Sequence, residues 1–222
     1  MSKPIILIHG AWHGAWCFER VARSLRAEKY EVFAADLPLL GHEGDIEVAR
    51  ELIASHPGAV VLGHSYGGLV ITHAVYGLEV SHLVYLAALM PDRGEDLGAL
   101  VEKHPSAALH QAMVMGEDGR ISMDPELGIE AFYGDCDPQD AASAIERLRP
   151  QVFSEFPILD QDPPWRSVPS TYVVCKDDNA QTPSLQAVFA ERAAKVVEWD
   201  GSHSPFLTRP EAVAKLLANL AG

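Results

Sequence analysis

Ser65 lies in Gly63-His64-Ser65-Tyr66-Gly67-Gly68, between the apolar runs Val60-Val61-Leu62 and Leu69-Val70-Ile71. The spacing of Gly63, Ser65 and Gly67 fits G-x-S-x-G, a turn that takes a buried strand sharply into a helix and leaves the serine hydroxyl exposed at the bend. A backbone strained at Ser65 leaves no room for a Cβ two residues to either side, which accounts for both glycines. A serine hydroxyl is too weak an acid to attack anything at neutral pH, so Ser65 as a nucleophile needs a base within hydrogen-bond reach, and that base needs an orienting group. On sheets with this elbow the partners follow in the chain order nucleophile, acid, base. Gly201-Ser202-His203-Ser204, after the last strand, supplies His203 as the expected base. Lys176-Asp177-Asp178-Asn179, after the preceding strand, supplies the acid; position favours Asp178, with Asp177 its rival. Asp92, after the strand that follows the elbow, is a further place for an acid and reads more naturally as a cap or turn residue.

A tetrahedral oxyanion needs two N–H donors already in place. The amide of Tyr66, directly after the nucleophile, is one; Ala11, in the glycine loop His9-Gly10-Ala11-Trp12-His13-Gly14, is the other. His9 and His13 are four apart, but they sit on a strand end and a glycine loop without H-E-x-x-H, so they read as hydrogen-bonded structural histidines rather than metal ligands. His64 reads as a turn and packing residue.

The elements that must position these groups alternate. Residues 4–9 form an apolar strand; Phe18, Val21, Ala22 and Leu25 recur at helical spacing; residues 31–35 form a second strand. Residues 41–45 read as a turn, and Ile46, Ala49, Leu52 and Ile53 as a helix. Strand 59–62, the elbow, helix 69–76 and strand 82–86 follow. From about 93 to 168 the alternation stops and no strand is evident. That excursion holds one clear helix, capped by Asp137, started by Pro138 and striped by Ala141, Ile145 and Leu148; an excursion of this length reads as a cap, most often a lid over a site. Strand 170–174, a helix with Leu185, Val188 and Phe189, strand 195–199 and a helix from Pro210 complete the chain. The expected fold is α/β: a mostly parallel, doubly covered sheet with a small helical cap insertion in a single domain spanning residues 1–222.

Composition narrows the partners. Across 222 residues, 17 basic against 31 acidic side chains give a formal charge of −14, which repels phosphate backbones and anionic lipid and argues against nucleic-acid or membrane partners. Three cysteines, widely spaced and without C-x-x-C, suit small buried thiols in a reducing compartment. The chain enters a strand almost at once and has no apolar stretch approaching the length of a membrane span, so a cytoplasmic location is expected.

The opening Leu7-Ile8-His9-Gly10-Ala11-Trp12-His13-Gly14-Ala15-Trp16, the elbow, Val174-Cys175-Lys176-Asp177-Asp178 and the late His203 resemble the α/β-hydrolase superfamily, in particular the branch of plant methylesterases, hydroxynitrile lyases and small bacterial esterases. Phe132-Tyr133-Gly134-Asp135-Cys136 is similar to that branch's cap. The resemblance makes Ser65 nucleophile and His203 base, and it favours Asp178 as acid because Pro183-Ser184-Leu185-Gln186 follows at the branch's position. It likewise makes Ala11 and Tyr66 the oxyanion donors. Lyase members carry a lysine directly after the histidine and a threonine after the first strand's histidine; Ser204 and Gly10 stand there, and Ser204 supplies no positive charge for a departing cyanide. The loop between Asp36 and Ile46 is shorter than the branch's usual one.

The expected activity is therefore hydrolysis of small carboxylic esters, such as methyl or aryl esters with an apolar acyl part, without cofactor or metal. Candidate pocket walls are Trp12, His13, Tyr66, Phe132, Tyr133, Trp165 and Phe206. Rival readings are a lyase on the same three residues and a non-catalytic ligand-binding protein; a homodimer is compatible with either.

Overall fold

A computed structural model describes residues 2–222. β1 (Ile5–Ile8) leads through a short 3-10 turn into α1 (Glu19–Ala27), followed by β2 (Val32–Ala34), α2 (His42–Ala54), β3 (Ala59–His64), α3 (Tyr66–Ala74) and β4 (Val80–Leu86). The next stretch holds α4 (Leu97–Glu102), α5 (Ala107–Ala112), the short strands β5 (Met113–Met115) and β6 (Ile121–Met123), α6 (Pro125–Phe132) and α7 (Pro138–Ile145). β7 (Ser170–Cys175), α8 (Pro183–Ala190), β8 (Lys195–Trp199), α9 (Pro205–Thr208) and α10 (Pro210–Ala221) follow.

The central sheet runs β2-β1-β3-β4-β7-β8 with every pairing parallel. Side chains alternate across it, so each strand feeds two cores. Ile6, Ile8 and Val61 pack with Ala49 and Ile53 of α2, Leu69 of α3 and Phe189 of α8. Ile5, Leu7, Val60 and Leu62 pack on the opposite face with Val21 and Leu25 of α1 and Val213 and Leu217 of α10. All four side chains of β1 are fully buried, each contributing about 1.5–3 kcal/mol of transfer free energy. Among the described residues no helix is long and apolar enough to cross a membrane.

Ser65 stands alone between β3 and α3 at φ 52°, ψ −121°, a left-handed region that a side chain adopts only under constraint. The two flanking glycines make the bend possible by close approach. A Cβ on Gly63 would lie 2.5 Å from the Gly67 carbonyl oxygen, and one on Gly67 would lie 2.6 Å from that of Ile8. Both obstacles are backbone atoms, which cannot rotate away.

Four local expectations change. α2 begins at His42, so residues 41–45 are a helix start rather than a turn, and α3 begins at Tyr66, directly after the bend. The stretch between β4 and β7 has four helices rather than one, including α6, whose Asp124 caps Glu126 and Leu127 ahead of Pro125. It also contains strands: β5 and β6 pair antiparallel around Gly116 and Gly119. Each has three residues, too few for an alternating pattern to stand out. The cysteines are free thiols, with Cys17 and Cys175 buried and Cys136 only half-buried.

Replacing Gly63 by alanine is expected to destabilise the fold by about 1–3 kcal/mol or more, because overpacking here pushes on main chain. A urea unfolding midpoint unchanged in Gly63→Ala would show that the bend has slack.

Candidate active site

In a parallel sheet all strands end on the same edge, and the loops that follow them share one crevice. The loops after β1, β3, β7 and β8 bring Ala11, Ser65, Asp178 and His203 to that edge. His203 and Asp178 meet there: Nδ1 of His203 is 2.7 Å from Oδ2 of Asp178, with both side chains essentially inaccessible. The same Oδ2 accepts from Gln186 Nε2 at 3.0 Å, while Oδ1 accepts from the amides of Ala180 and Gln181, each at 2.8 Å. A carboxylate surrounded by donors leaves the proton of the shared bond on His203 Nδ1, so the ring's Nε2 carries the lone pair.

Asp177 points elsewhere. It is exposed, and its Oδ2 accepts from the Gly201 amide at 2.9 Å while its own amide donates to the Gly201 carbonyl, which pins the loop leading to His203. Asp92 is paired with Arg166 at 2.7 Å and is not part of this cluster. The position of His203 is fixed a second time by His64, whose buried Nε2–H donates to the His203 carbonyl at 2.9 Å, with the two rings 4.5 Å apart. Burial drives His64 well below the usual imidazole range, so it stays neutral beside its neighbour.

Two residues bordering the same space, Ala11 and Tyr66, have uncommitted backbone amides. Tyr66 is the first residue of α3, where a helix N–H has no intrahelical acceptor, and among the described residues neither its amide nor that of Ala11 donates to the chain. The Tyr66 side chain is tied down underneath: its hydroxyl donates to Asp45 Oδ2 at 2.8 Å and meets His42 Nδ1 at 3.0 Å, and His42 Nε2–H donates to the Ser154 carbonyl at 3.2 Å. Burial raises the Asp45 carboxyl above its ordinary range. Asp45, His42 and Gln151 escaped the sequence reading; Gln151 Oε1 accepts from the amide of Trp12, holding that residue at φ 61°. Arg149 reinforces the same corner, with its guanidinium donating to the carbonyls of His13 and Leu37 and its amide to that of Trp12.

A cavity of about 390 Å³ opens over Ser65, lined by Ala11 and Tyr66 and by the aromatic rings of Trp12, Phe132, Phe153 and Phe156. Of the expected walls, Trp12, Tyr66 and Phe132 line it; His13, Tyr133, Trp165 and Phe206 do not. His13 is buried behind the wall, donating from Nδ1 to the Ala11 carbonyl at 2.7 Å and accepting from the Tyr133 hydroxyl at 2.9 Å. Trp165 is occupied by a bond to the Pro91 carbonyl at 3.0 Å, and Phe206 is a core ring packed on Phe18, His13 and His64. Aromatic identity alone does not say which side of a loop a ring faces. His9 uses both ring nitrogens, donating to the Gly10 carbonyl and accepting from the Leu37 amide at 2.9 Å, so it offers a metal no lone pair.

The profile of the Alpha/beta hydrolase family matches residues 5–216. The chain belongs to that family. Among curated α/β-hydrolase relatives, Esterase PIR7B of Oryza sativa subsp. japonica is 27% identical over 257 residues, covering 99% of this chain and 96% of the relative. Methylesterase 2 of Arabidopsis thaliana is 26% identical over 254 residues, covering 99% and 96% respectively. These relatives agree with the resemblance to the methylesterase branch. Among solved structures, a pyrethroid hydrolase from Sphingobium faniae JZ-2 superposes with a TM-score of 0.85 at 23% identity, covering 100% of this chain and 98% of that one, which shows the shared fold.

The buried histidines make the α/β-hydrolase fold acid-sensitive. Burial lowers His9 to about 4 and His13 to about 3. Below about pH 6.5 the unfolded chain therefore binds protons that the folded chain refuses, and stability falls as pH drops toward those lowered values. The pair is expected to remove about 3 kcal/mol between pH 6.5 and 5, because the unfolded imidazoles are only half protonated at pH 6.5 and the loss reaches about 1.4 kcal/mol per pH unit for each ring only below that. Asp45, shifted upward, offsets part of this. Urea unfolding at pH 7, 6 and 5 checks it; a flat free energy across that range would mean the two rings are not held neutral.

Proposed function

We propose that this α/β-hydrolase is a serine esterase acting on small carboxylic esters through an acyl-enzyme. The observation that carries the reading is the inaccessible Asp178–His203 pair at 2.7 Å, placed on the sheet edge that also presents the strained Ser65. Ser65 Oγ attacks the ester carbonyl while His203 Nε2 takes its proton; Asp178 holds the ring in the tautomer that leaves Nε2 free. The amides of Ala11 and Tyr66 receive the developing oxyanion, with no reorganisation needed because a helix turn and a pinned loop already hold them. His203 then protonates the leaving alcohol and next activates water, which releases the acid and restores Ser65.

The names of the relatives, an esterase and a methylesterase, support ester hydrolysis, and the apolar cavity supports an apolar substrate. Ser204, buried next to His203, offers no cation to a departing cyanide, which favours esterase over lyase chemistry. In this reading the stretch 93–168, which contributes Val101, Leu109, Met113, Phe132, Phe153 and Phe156 to the lining, is a cap that keeps water from the acyl-enzyme.

A fluorophosphonate probe should label the wild type and not Ser65→Ala. With a p-nitrophenyl ester, Ser65→Ala should lower kcat by roughly 10⁵–10⁶ and Asp178→Asn by roughly 10⁴, both with unchanged circular dichroism. Asp177→Asn, by contrast, should cost less than tenfold, since its carboxylate touches only the Gly201 amide. If Asp177→Asn is the crippling change and Asp178→Asn is near neutral, the acid is misassigned.

A further inference from the structure

Among the polar side chains that line the cavity, Glu102, His104, Ser106 and His110 are partly or fully exposed, whereas Gln181 is only 5% exposed. Its main chain is fixed at both ends: the amide donates to Asp178 Oδ1 at 2.8 Å and the carbonyl accepts from Gln186 Nε2 at 2.6 Å. Its side-chain orientation is fixed as well. The Tyr172 hydroxyl has a single proton, which it gives to the Ala88 carbonyl at 2.8 Å, so toward every other neighbour it can only accept. Gln181 stands 3.0 Å from that oxygen and must therefore present its NH₂ group. The amide oxygen is left over, and among the described residues nothing donates to it. The lining it shares includes the apolar Leu89, Ala180 and Leu185, its chain neighbour and the first turn of α8 among them.

We propose that Gln181 is a specificity-determining residue whose Oε1 accepts a hydrogen bond from a hydroxyl or N–H group carried by an otherwise apolar ester. The preferred substrates are then apolar esters bearing one such donor away from the scissile carbonyl. The chemistry rests on the esterase reading above, while the preference for a donor is a property of the cavity. An apolar group pressed against this fixed acceptor strips its water and returns nothing, whereas a donor restores the bond without any cost of ordering the side chain. Sites built this way discriminate against analogues that lack the polar group much more strongly than apolar pockets discriminate by size.

The test uses methyl 3-phenylpropanoates carrying a hydroxyl at the ortho, meta or para position, each against the isostere with a methyl group there. Binding is measured by calorimetry to Ser65→Ala protein, which cannot turn the esters over, and to the same protein with Gln181→Met or Gln181→Leu. For at least one ring position the ratio of methyl to hydroxyl Kd should fall by roughly 5- to 100-fold on either Gln181 substitution, in protein that still melts cooperatively. A ratio that moves less than twofold at all three positions in both variants overturns the proposal. Turnover of the same esters by the wild type is read separately: a Gln181-dependent ratio without turnover or fluorophosphonate labelling would remove the esterase reading and leave the donor preference standing.

Discussion

A carboxylate removed from water must be surrounded by donors, and the candidate site is organised by how Asp178 meets that requirement. Four donors reach its two oxygens, and between them they fix three parts of the molecule. The Ala180 and Gln181 amides set the path of the loop after β7. Gln186 adds the first turns of α8 and, through bonds of its amide group to both the N–H and the carbonyl of Cys175, the end of β7 itself. His203 contributes the loop after β8. An apolar residue in place of Asp178 would therefore leave several of these donors unpaired at once, a cost of about 1–3 kcal/mol for each.

A second constraint is charge neutrality in the layer beneath the cavity. His9, His13 and His64 lie close to the Ala11 loop and to His203, and burial keeps all three below the ordinary imidazole range. Three imidazolium ions there would repel one another and the ring of His203. As neutral donors and acceptors they act as spacers: His13 holds the Ala11 carbonyl, His64 the His203 carbonyl, and His9 the Leu37 amide. Their polar atoms do for the loops what ladder bonds do for the strands.

How much of this could be read in the sequence varies with the range of the determining contact. The elbow was legible because Gly63, Ser65 and Gly67 are local, and the meeting of Asp178 with His203 because strand order fixes which loops share an edge. Asp178 separates from Asp177 in the structure through Gln186, which sits one helical turn into α8 and turns its amide toward one carboxylate only. The walls were less legible: Trp12 and Phe132 face the cavity while Phe206 and Trp165 face the core, and composition cannot tell a ring's inner side from its outer. Gln181 was illegible altogether, since its orientation depends on the Tyr172 proton, which depends in turn on Ala88. The strands β5 and β6 were missed for want of length.

The bonds of Arg149 bear on how a ligand reaches the cavity. This residue ties the end of the stretch after α7 to the carbonyls of Trp12, His13 and Leu37, and at the opposite side the hydroxyls of Ser106 and Thr182 tie α5 and its approach to the loop after β7. These bonds staple the roof on both flanks, so swinging it open as a unit would first have to break them. Glu102, His104 and His110 line the cavity and are partly or fully exposed, and side chains so placed change rotamer within picoseconds to nanoseconds, far faster than a whole roof opens.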